Sequence, residues 1–176
     1  YTQVMICDGS TLESLIRKTG LLIEAPKNPL AGRMMGLLDG LSRLPVWVGY
    51  SDDEASNDQR FWDAILERVS RGSLLIFDLG FTNYARFAQM TRDGITFITR
   101  AKTNMAYQVA NSIERSATLH DMIVWIGDAD PSVNTRQQLR LVRLLYQGKW
   151  YEYLSNELDV ERLPAEILVG VYRQRW

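Results

Sequence analysis

The sequence predicts an α/β fold, a mixed sheet flanked by helices, with a β-strand insertion before the last helix. Three observations predict it. The short apolar runs Val4-Met5-Ile6-Cys7 and Leu74-Leu75-Ile76-Phe77 each end on an aspartate, the pattern of buried strands that open at a sheet edge. Between and after these runs, apolar residues recur at helical spacing. From about Lys102 to Asn156 the pattern becomes that of strands joined by turns. With 176 residues, 46% of them hydrophobic, the chain can bury one sizeable core. The expected division is 1–101 for that core, 102–156 for the β-rich insertion and 157–176 for the start of the last helix.

The elements follow in order. Val4 to Cys7 reads as a strand that delivers Asp8-Gly9-Ser10. Met34 to Leu41 and Val46 to Tyr50 flank Ser42-Arg43-Leu44-Pro45, an antiparallel hairpin. Asn57 or Asp58 can then cap a helix that carries Phe61, Trp62, Ile65, Leu66 and Val69 on one face and ends at Gly72. Leu74 to Phe77 is the second strand, delivering Asp78. Thr82 can cap the next helix, with Tyr84, Phe87 and Ala88 inward and Gly94 closing it. Ile95 to Thr99 reads as a strand. In the insertion, Ala106 to Val109, Met122 to Ile126, Leu139 to Tyr146 and Trp150 to Leu154 are strand-like, with a hairpin turn at Gln147-Gly148-Lys149. Pro164 suits the first position of a final helix that places Ile167, Leu168, Val171 and Tyr172 on its apolar side.

Composition narrows the chemistry. Cys7 is the one cysteine and His120 the one histidine, so neither an internal disulfide nor a Cys/His zinc cluster can form. No apolar run approaches a membrane span and no signal peptide is visible, which makes a reducing cytosol the expected compartment. The net charge of -1 argues mildly against a nucleic-acid partner. Yet of 20 Lys+Arg residues only Lys18, Lys27, Lys102 and Lys149 are lysine. Guanidinium forks suit phosphate, although a GC-rich genome produces the same bias.

The chemistry is expected from Asp8 and Asp78, each the polar end of an apolar strand. Two such carboxylates on neighbouring strands repel unless a cation sits between them, and hard oxygen ligands suit Mg²⁺ or Mn²⁺. The competing reading is that each merely caps the following turn. "GDADPSVN" at 127 to 134 reads as a loop between insertion strands, and Asp52-Asp53-Glu54 as a solvated turn.

The segments "DGSTL" at 8 to 12, "LLIFDLGFTNYARF" at 74 to 87, "FITRAK" at 97 to 102 and "YRQRW" at 172 to 176 occur in the order seen in bacterial DDE transposases. In this the sequence resembles the catalytic core of the insertion-sequence group four family. The resemblance implies a ribonuclease H-like mixed sheet flanked by helices, and two-metal phosphoryl transfer by two aspartates and a glutamate. Asp8 and Asp78 match the catalytic, metal-ligating aspartates. Tyr172 and Arg175 match the tyrosine and arginine of the Y-x-x-R-x-x-x-E signature, whose glutamate falls three residues after Trp176. As given, the chain is therefore expected to fold but not to cut DNA.

The resemblance further implies two Mg²⁺ or Mn²⁺ ions in the complete enzyme, transposon-end and target DNA as partners, a homodimer on that DNA, and a place in the bacterial cytoplasm at the nucleoid. Arg175, Arg100 and Lys102 are the expected phosphate contacts, the last two being open to reading as a solvated strand end. Trp150 stands where cut-and-paste relatives place a tryptophan that stacks on a flipped base, or else packs the insertion beside Tyr151 and Tyr153. The pattern also departs from the family: Leu79 stands where an arginine is common, and the expected N-terminal end-binding region and the lysine beyond the glutamate do not fall within residues 1–176. Two rivals remain. An aspartyl-phosphate phosphohydrolase requires a second aspartate where Ser10 stands, and a transposase relic would bind DNA without cutting it.

Overall fold

In a computed structural model of the chain, residues 1–11, 32–52, 58–128 and 135–175 are described. Among them, nine strands form one sheet: β1 (Val4–Thr11), β2 (Arg33–Asp39), β3 (Pro45–Ser51), β4 (Leu74–Ile76), β5 (Thr96–Arg100), β6 (Gln108–Arg115), β7 (Leu119–Ile126), β8 (Gln137–Tyr146) and β9 (Lys149–Ser155). Their spatial order is β3-β2-β1-β4-β5-β9-β8-β7-β6. β4 lies between β1 and β5 and is parallel to both, while every other pairing is antiparallel. This is the expected mixed α/β sheet, in an arrangement consistent with the ribonuclease H-like fold.

The centre of the sheet is buried on both sides, and its middle strand β4 is apolar at every position. Along β4, Leu75 and then Phe77 join one core cluster while Leu74 and Ile76 join the other, the period-two consequence of the pleat. The helices α1 (Trp62–Leu66) and α2 (Tyr84–Asp93) cover the first face, where Trp62, Phe77, Phe81, Phe87 and Phe97 meet in edge and tilted ring contacts. The helix α3 (Ala165–Arg173) covers the second through Ala165, Leu168, Val169 and Tyr172. β9 hydrogen-bonds onto β5, with β8 and β7 following in order, and these strands send side chains into both clusters, Leu139, Leu141 and Leu154 into one, Val142 and Tyr153 into the other.

Several local expectations shift. The helix expected from about residue 58 to Gly72 is a 3-10 turn, Asp58–Phe61, followed by the five residues of α1, and Val69 is buried beyond its end. The Asp58 side chain does not cap α1, and Asn57 lies outside the described residues. Asn83, not Thr82, caps α2 by accepting from the Arg86 amide, because the Thr82 hydroxyl donates instead to the Leu79 carbonyl. Gly94 closes α2 at φ 70°, as expected. On α3 the buried face is rotated, leaving Ile167 exposed, with Pro164 at the N-cap. The strand expected at Ala106 to Val109 begins instead at Gln108 and runs on to Arg115, because the mostly exposed, polar residues beyond Val109 carried no strand signal. Of the loop expected at 127–134, residues 129–134 lie outside the described residues, as do Asp53, Glu54 and Trp176.

Before α3, Arg140 and Asp121 form a fully buried pair on β8 and β7. Arg140 Nε donates to Asp121 Oδ1 at 2.9 Å and Nη2 to Oδ2 at 2.5 Å, while Nη1 donates to the Leu163 carbonyl at 2.5 Å. The guanidinium thus ties the residue preceding Pro164 to the sheet and fixes where α3 starts.

Candidate active site

Asp8 and Asp78 come from adjacent parallel strands. β1 and β4 run in register from Val4 opposite Leu74 to Ile6 opposite Ile76, and the same offset relates Asp8 to Asp78. Asp8 lies within β1 opposite Gly36 of β2, whereas Asp78 lies just past β4 in extended conformation. Both side chains are half-buried.

The Asp78 carboxylate has three partners. Its Oδ1 accepts from the Leu79 amide at 2.7 Å, which caps a 3-10 turn, Leu79–Phe81, so turn-capping is part of its role. The Tyr172 hydroxyl donates to the same oxygen at 3.1 Å. Arg175 Nη2 lies 3.4 Å from Oδ2, its side chain only 2% exposed. Tyr172 and Arg175 reach one carboxylate because they are three residues apart at the end of α3, where the Arg175 amide still donates to the Tyr172 carbonyl and the guanidinium lies 5.2 Å from the Tyr172 ring.

These surroundings push the two acids in opposite directions. Asp8 is held above the ordinary carboxylate range, chiefly by burial; Arg175 and the Gly9 amide oppose this, and Asp78 and Asp58 add to it. Burial also weighs on Asp78, but the Leu79 amide, the Arg175 charge and the Tyr172 hydroxyl outweigh it and hold its carboxyl below the ordinary value. Burial, foremost, pushes the Tyr172 phenol well up, so it stays a donor at neutral pH.

Beside Asp78 opens a cavity of about 380 Å³, walled by Tyr151 and Tyr153 of β9, Arg100 of β5 and the Tyr172–Arg175 end of α3. Arg100 lies over the Tyr151 ring at 5.7 Å, and its Nε is buried without a hydrogen-bond partner. A planar, π-rich or anionic group suits such walls.

A family model described as "Transposase DDE domain" matches residues 31–176. The chain belongs to that family. A search of curated proteins found no match. The match includes Asp78, Tyr172 and Arg175, and Asp8 precedes it. Membership makes the protein a transposase domain whose substrates are DNA, in a family that generally uses divalent metal ions.

In this transposase domain, Asp8, Asp78, Tyr172, Arg175 and Arg100 gather at the carboxyl ends of β4 and β5. Lys102 does not join them and stands exposed in the loop after β5. Trp150 does not join them either. Alternation along β9 turns it to the sheet face opposite Tyr151 and Tyr153, where it is 36% exposed and stacks on His120 with ring centroids 4.7 Å apart. The Arg143 guanidinium lies 5.3 Å from its ring.

Two half-buried carboxylates whose like charges work against ionisation of Asp8 form a donor pair that suits a hard divalent cation. Among the described residues no group of three or more His, Cys, Asp or Glu is arranged to hold a metal. Nor, among them, is any helix long and apolar enough to cross a membrane. The sequence reading missed Asp58 as a neighbour of the site, having taken it for a helix cap, and gave Tyr151 and Tyr153 only a packing role. An Asp-x-x-Phe-Trp stretch looks the same whether the aspartate caps a helix or reaches across to another strand, so no local signal separates the two.

Proposed function

We propose that this transposase domain cuts and joins DNA strands at transposon ends by the cut-and-paste route of the insertion-sequence group four family, acting as a homodimer on DNA at the bacterial nucleoid. The observation that carries the reading is the convergence on Asp78 of Tyr172 and Arg175 from the last helix, with Asp8 on the neighbouring strand. Asp8 and Asp78 are the residues to hold Mg²⁺ or Mn²⁺, which when bound activates the attacking hydroxyl and stabilises the leaving oxygen.

The chain's own groups position and neutralise. Arg175 and the Leu79 amide keep Asp78 ionised, and Tyr172 fixes the orientation of its carboxylate. Arg100, which lines the cavity, binds a phosphate of the strand under attack, and Lys102 contacts the backbone farther out. Trp150 stacks on a base from the other side of the sheet. Residues 1–101 act as the catalytic core, 102–156 as the insertion that grips the DNA end, and 157–176 as the start of the helix that bears the third acid.

The test is Mg²⁺-dependent cleavage of terminal-repeat DNA by a chain extended at both ends, to the end-binding region and past Trp176 to a glutamate, against the 176-residue chain. Cleavage by the extended chain that Asp8→Asn or Asp78→Asn abolishes supports the reading. Robust cutting by the 176-residue chain, or by either variant, overturns the assignment of the acids.

A further inference from the structure

We propose that Asp58 is a positioning residue that sets the spacing of Asp8 and Asp78, an inference that rests on the reading of those two as the metal-holding pair. Its carboxylate stands in a cradle made by two glycines. A Cβ built on Gly9 would lie 2.7 Å from Asp58 Oδ1, and one built on Gly80 would lie 2.7 Å from Oδ2. Each oxygen therefore occupies room that any side chain at the facing position would take. Gly9 directly follows Asp8, and Gly80 is the second residue after Asp78. One carboxylate thus touches the two backbone segments that carry the acids, on the sides where those segments have no side chain of their own.

Two further contacts hold the wedge in place. Arg33 Nη1 lies 3.0 Å from Asp58 Oδ1, and Arg33 pairs across β2 with Thr11 at the end of β1, so the wedge is tied to the strand that bears Asp8. On the other side the neighbouring Gln59 donates through Nε2 to the carbonyls of Gly80 at 2.9 Å and Thr82 at 3.3 Å, gripping the turn that Asp78 caps. The Gln59 amide is itself oriented, because its Oε1 accepts from Trp62 Nε1 and Asn83 Nδ2, both at 3.1 Å. The result is a chain of contacts from β1 through Asp58 to the Asp78 turn. It gives a physical reason for Gly at positions 9 and 80, neither of which has a positive φ to require it. Beyond its charge, which adds to what holds Asp8 up, Asp58 acts through the backbone of the acids.

Two readouts test the proposal on the 176-residue chain. One is hydrogen exchange of the Leu79 amide, which is bonded to Asp78 Oδ1. The other is affinity for Mn²⁺, read from paramagnetic broadening of the resonances around Asp8 and Asp78. Asp58→Ala is expected to speed Leu79 exchange about tenfold and to weaken Mn²⁺ binding about tenfold, with the rest of the sheet still protected. Asp58→Asn, which keeps the shape of the wedge, is expected to stay close to the unsubstituted chain in both.

Gly80→Ala is expected to act like Asp58→Ala by expelling the carboxylate, and Asp58→Ala/Gly80→Ala to recover part of the lost protection, since the methyl fills the vacated room. Unchanged Leu79 exchange in Asp58→Ala overturns the proposal. So does an Asn variant as impaired as the Ala variant, or a double variant no better than Gly80→Ala. If the unsubstituted chain gives no Mn²⁺ broadening near Asp8 and Asp78, the metal reading fails, and Leu79 exchange alone still decides whether Asp58 positions the turn.

Discussion

Tyr172, on the last helix, donates a 3.1 Å hydrogen bond to Asp78, just past a central strand and 94 residues earlier in the chain. The bond links the placement of α3 to the orientation of an acid it does not carry. Because Arg175 faces the other carboxylate oxygen, neither oxygen of Asp78 is oriented by its own strand alone. Anything that moves α3 therefore moves the electrostatics of the site.

Tyr172→Phe isolates that link, since the buried ring stays and only the hydroxyl goes. The Asp78 carboxyl is expected to titrate higher than in the unsubstituted chain, because one of the groups that favours its charged form is lost. Stability is expected to fall by about 1 kcal/mol at neutral pH, less than the roughly 1.5–3 kcal/mol of a buried bond to a charged group because the Asp78 side chain is 45% exposed. Carboxyl-carbon NMR titration and urea unfolding measure the two effects. An unmoved Asp78 titration would show that the bond does not act on the acid.

The anchor of α3 predicts a larger effect. Arg140→Met leaves Asp121 as a buried charge without its partner and frees the Leu163 carbonyl, and a loss of roughly 3–5 kcal/mol is expected. Adding Asp121→Leu removes the stranded charge, so the double variant is expected to regain most of that loss. It is not expected to regain the tether at Leu163. Urea unfolding of both variants, with hydrogen exchange of the α3 amides, separates the charge effect from the anchoring effect. A double variant as unstable as Arg140→Met would mean that the loss did not come from Asp121.

Much of this arrangement was legible in the sequence because strands and their polar ends leave local marks. Leu74 to Phe77 are apolar at four successive positions, as a strand covered on both faces needs, and the polar residue after such a run falls at the sheet edge. The spacing of Tyr172 and Arg175 carries its own geometry in the same way. What was not legible depends on contacts between distant segments. Asp58 carries the same local signal as a helix cap, and its real partners, Gly9, Arg33 and Gly80, are set only once β1, β2 and the Asp78 turn are side by side. For Trp150, aromatic neighbours in sequence suggested packing beside Tyr151 and Tyr153, but strand alternation sends it to the other face. Thr82 was expected to cap α2, and nothing local in sequence shows that its hydroxyl donates to the Leu79 carbonyl and leaves the cap to Asn83.

Trp150→Ala is expected to cost about 1 kcal/mol or less, because the indole is partly exposed and its main contact is the His120 ring. If Trp150 receives a base, the same substitution weakens binding of single-stranded DNA by roughly 1–3 kcal/mol while leaving Mn²⁺ affinity unchanged. Thermal unfolding and a fluorescence titration with a short oligonucleotide give both numbers. A melting temperature that falls in step with DNA affinity marks Trp150 as a packing residue.

The opposed shifts of Asp8 and Asp78 predict how stability, pH and metal are linked. Asp8 binds its proton more tightly in the folded chain than at the ordinary carboxylate value of 3.8, chiefly through burial. Its contribution to stability is therefore present below that value and lost as pH rises through its folded pKa. Asp78 is the reverse, its folded pKa being lowered, so its contribution is present above the ordinary value and lost as pH falls through its folded one. At pH values above the folded pKa of Asp8, Asp8→Asn is expected to raise the melting temperature slightly, while Asp78→Asn lowers it. A divalent cation bound by the pair offsets the cost of ionised Asp8. At a Mn²⁺ concentration about ten times its Kd the folded state gains about 1.4 kcal/mol, or roughly 3–5 °C in melting temperature. The gain is expected at pH 7, to shrink toward pH 4 as Asp8 takes up its proton, and to vanish in Asp8→Asn. Melting curves at both pH values, with and without Mn²⁺, measure it, and an equal gain in Asp8→Asn at pH 7 would place the cation elsewhere on the chain.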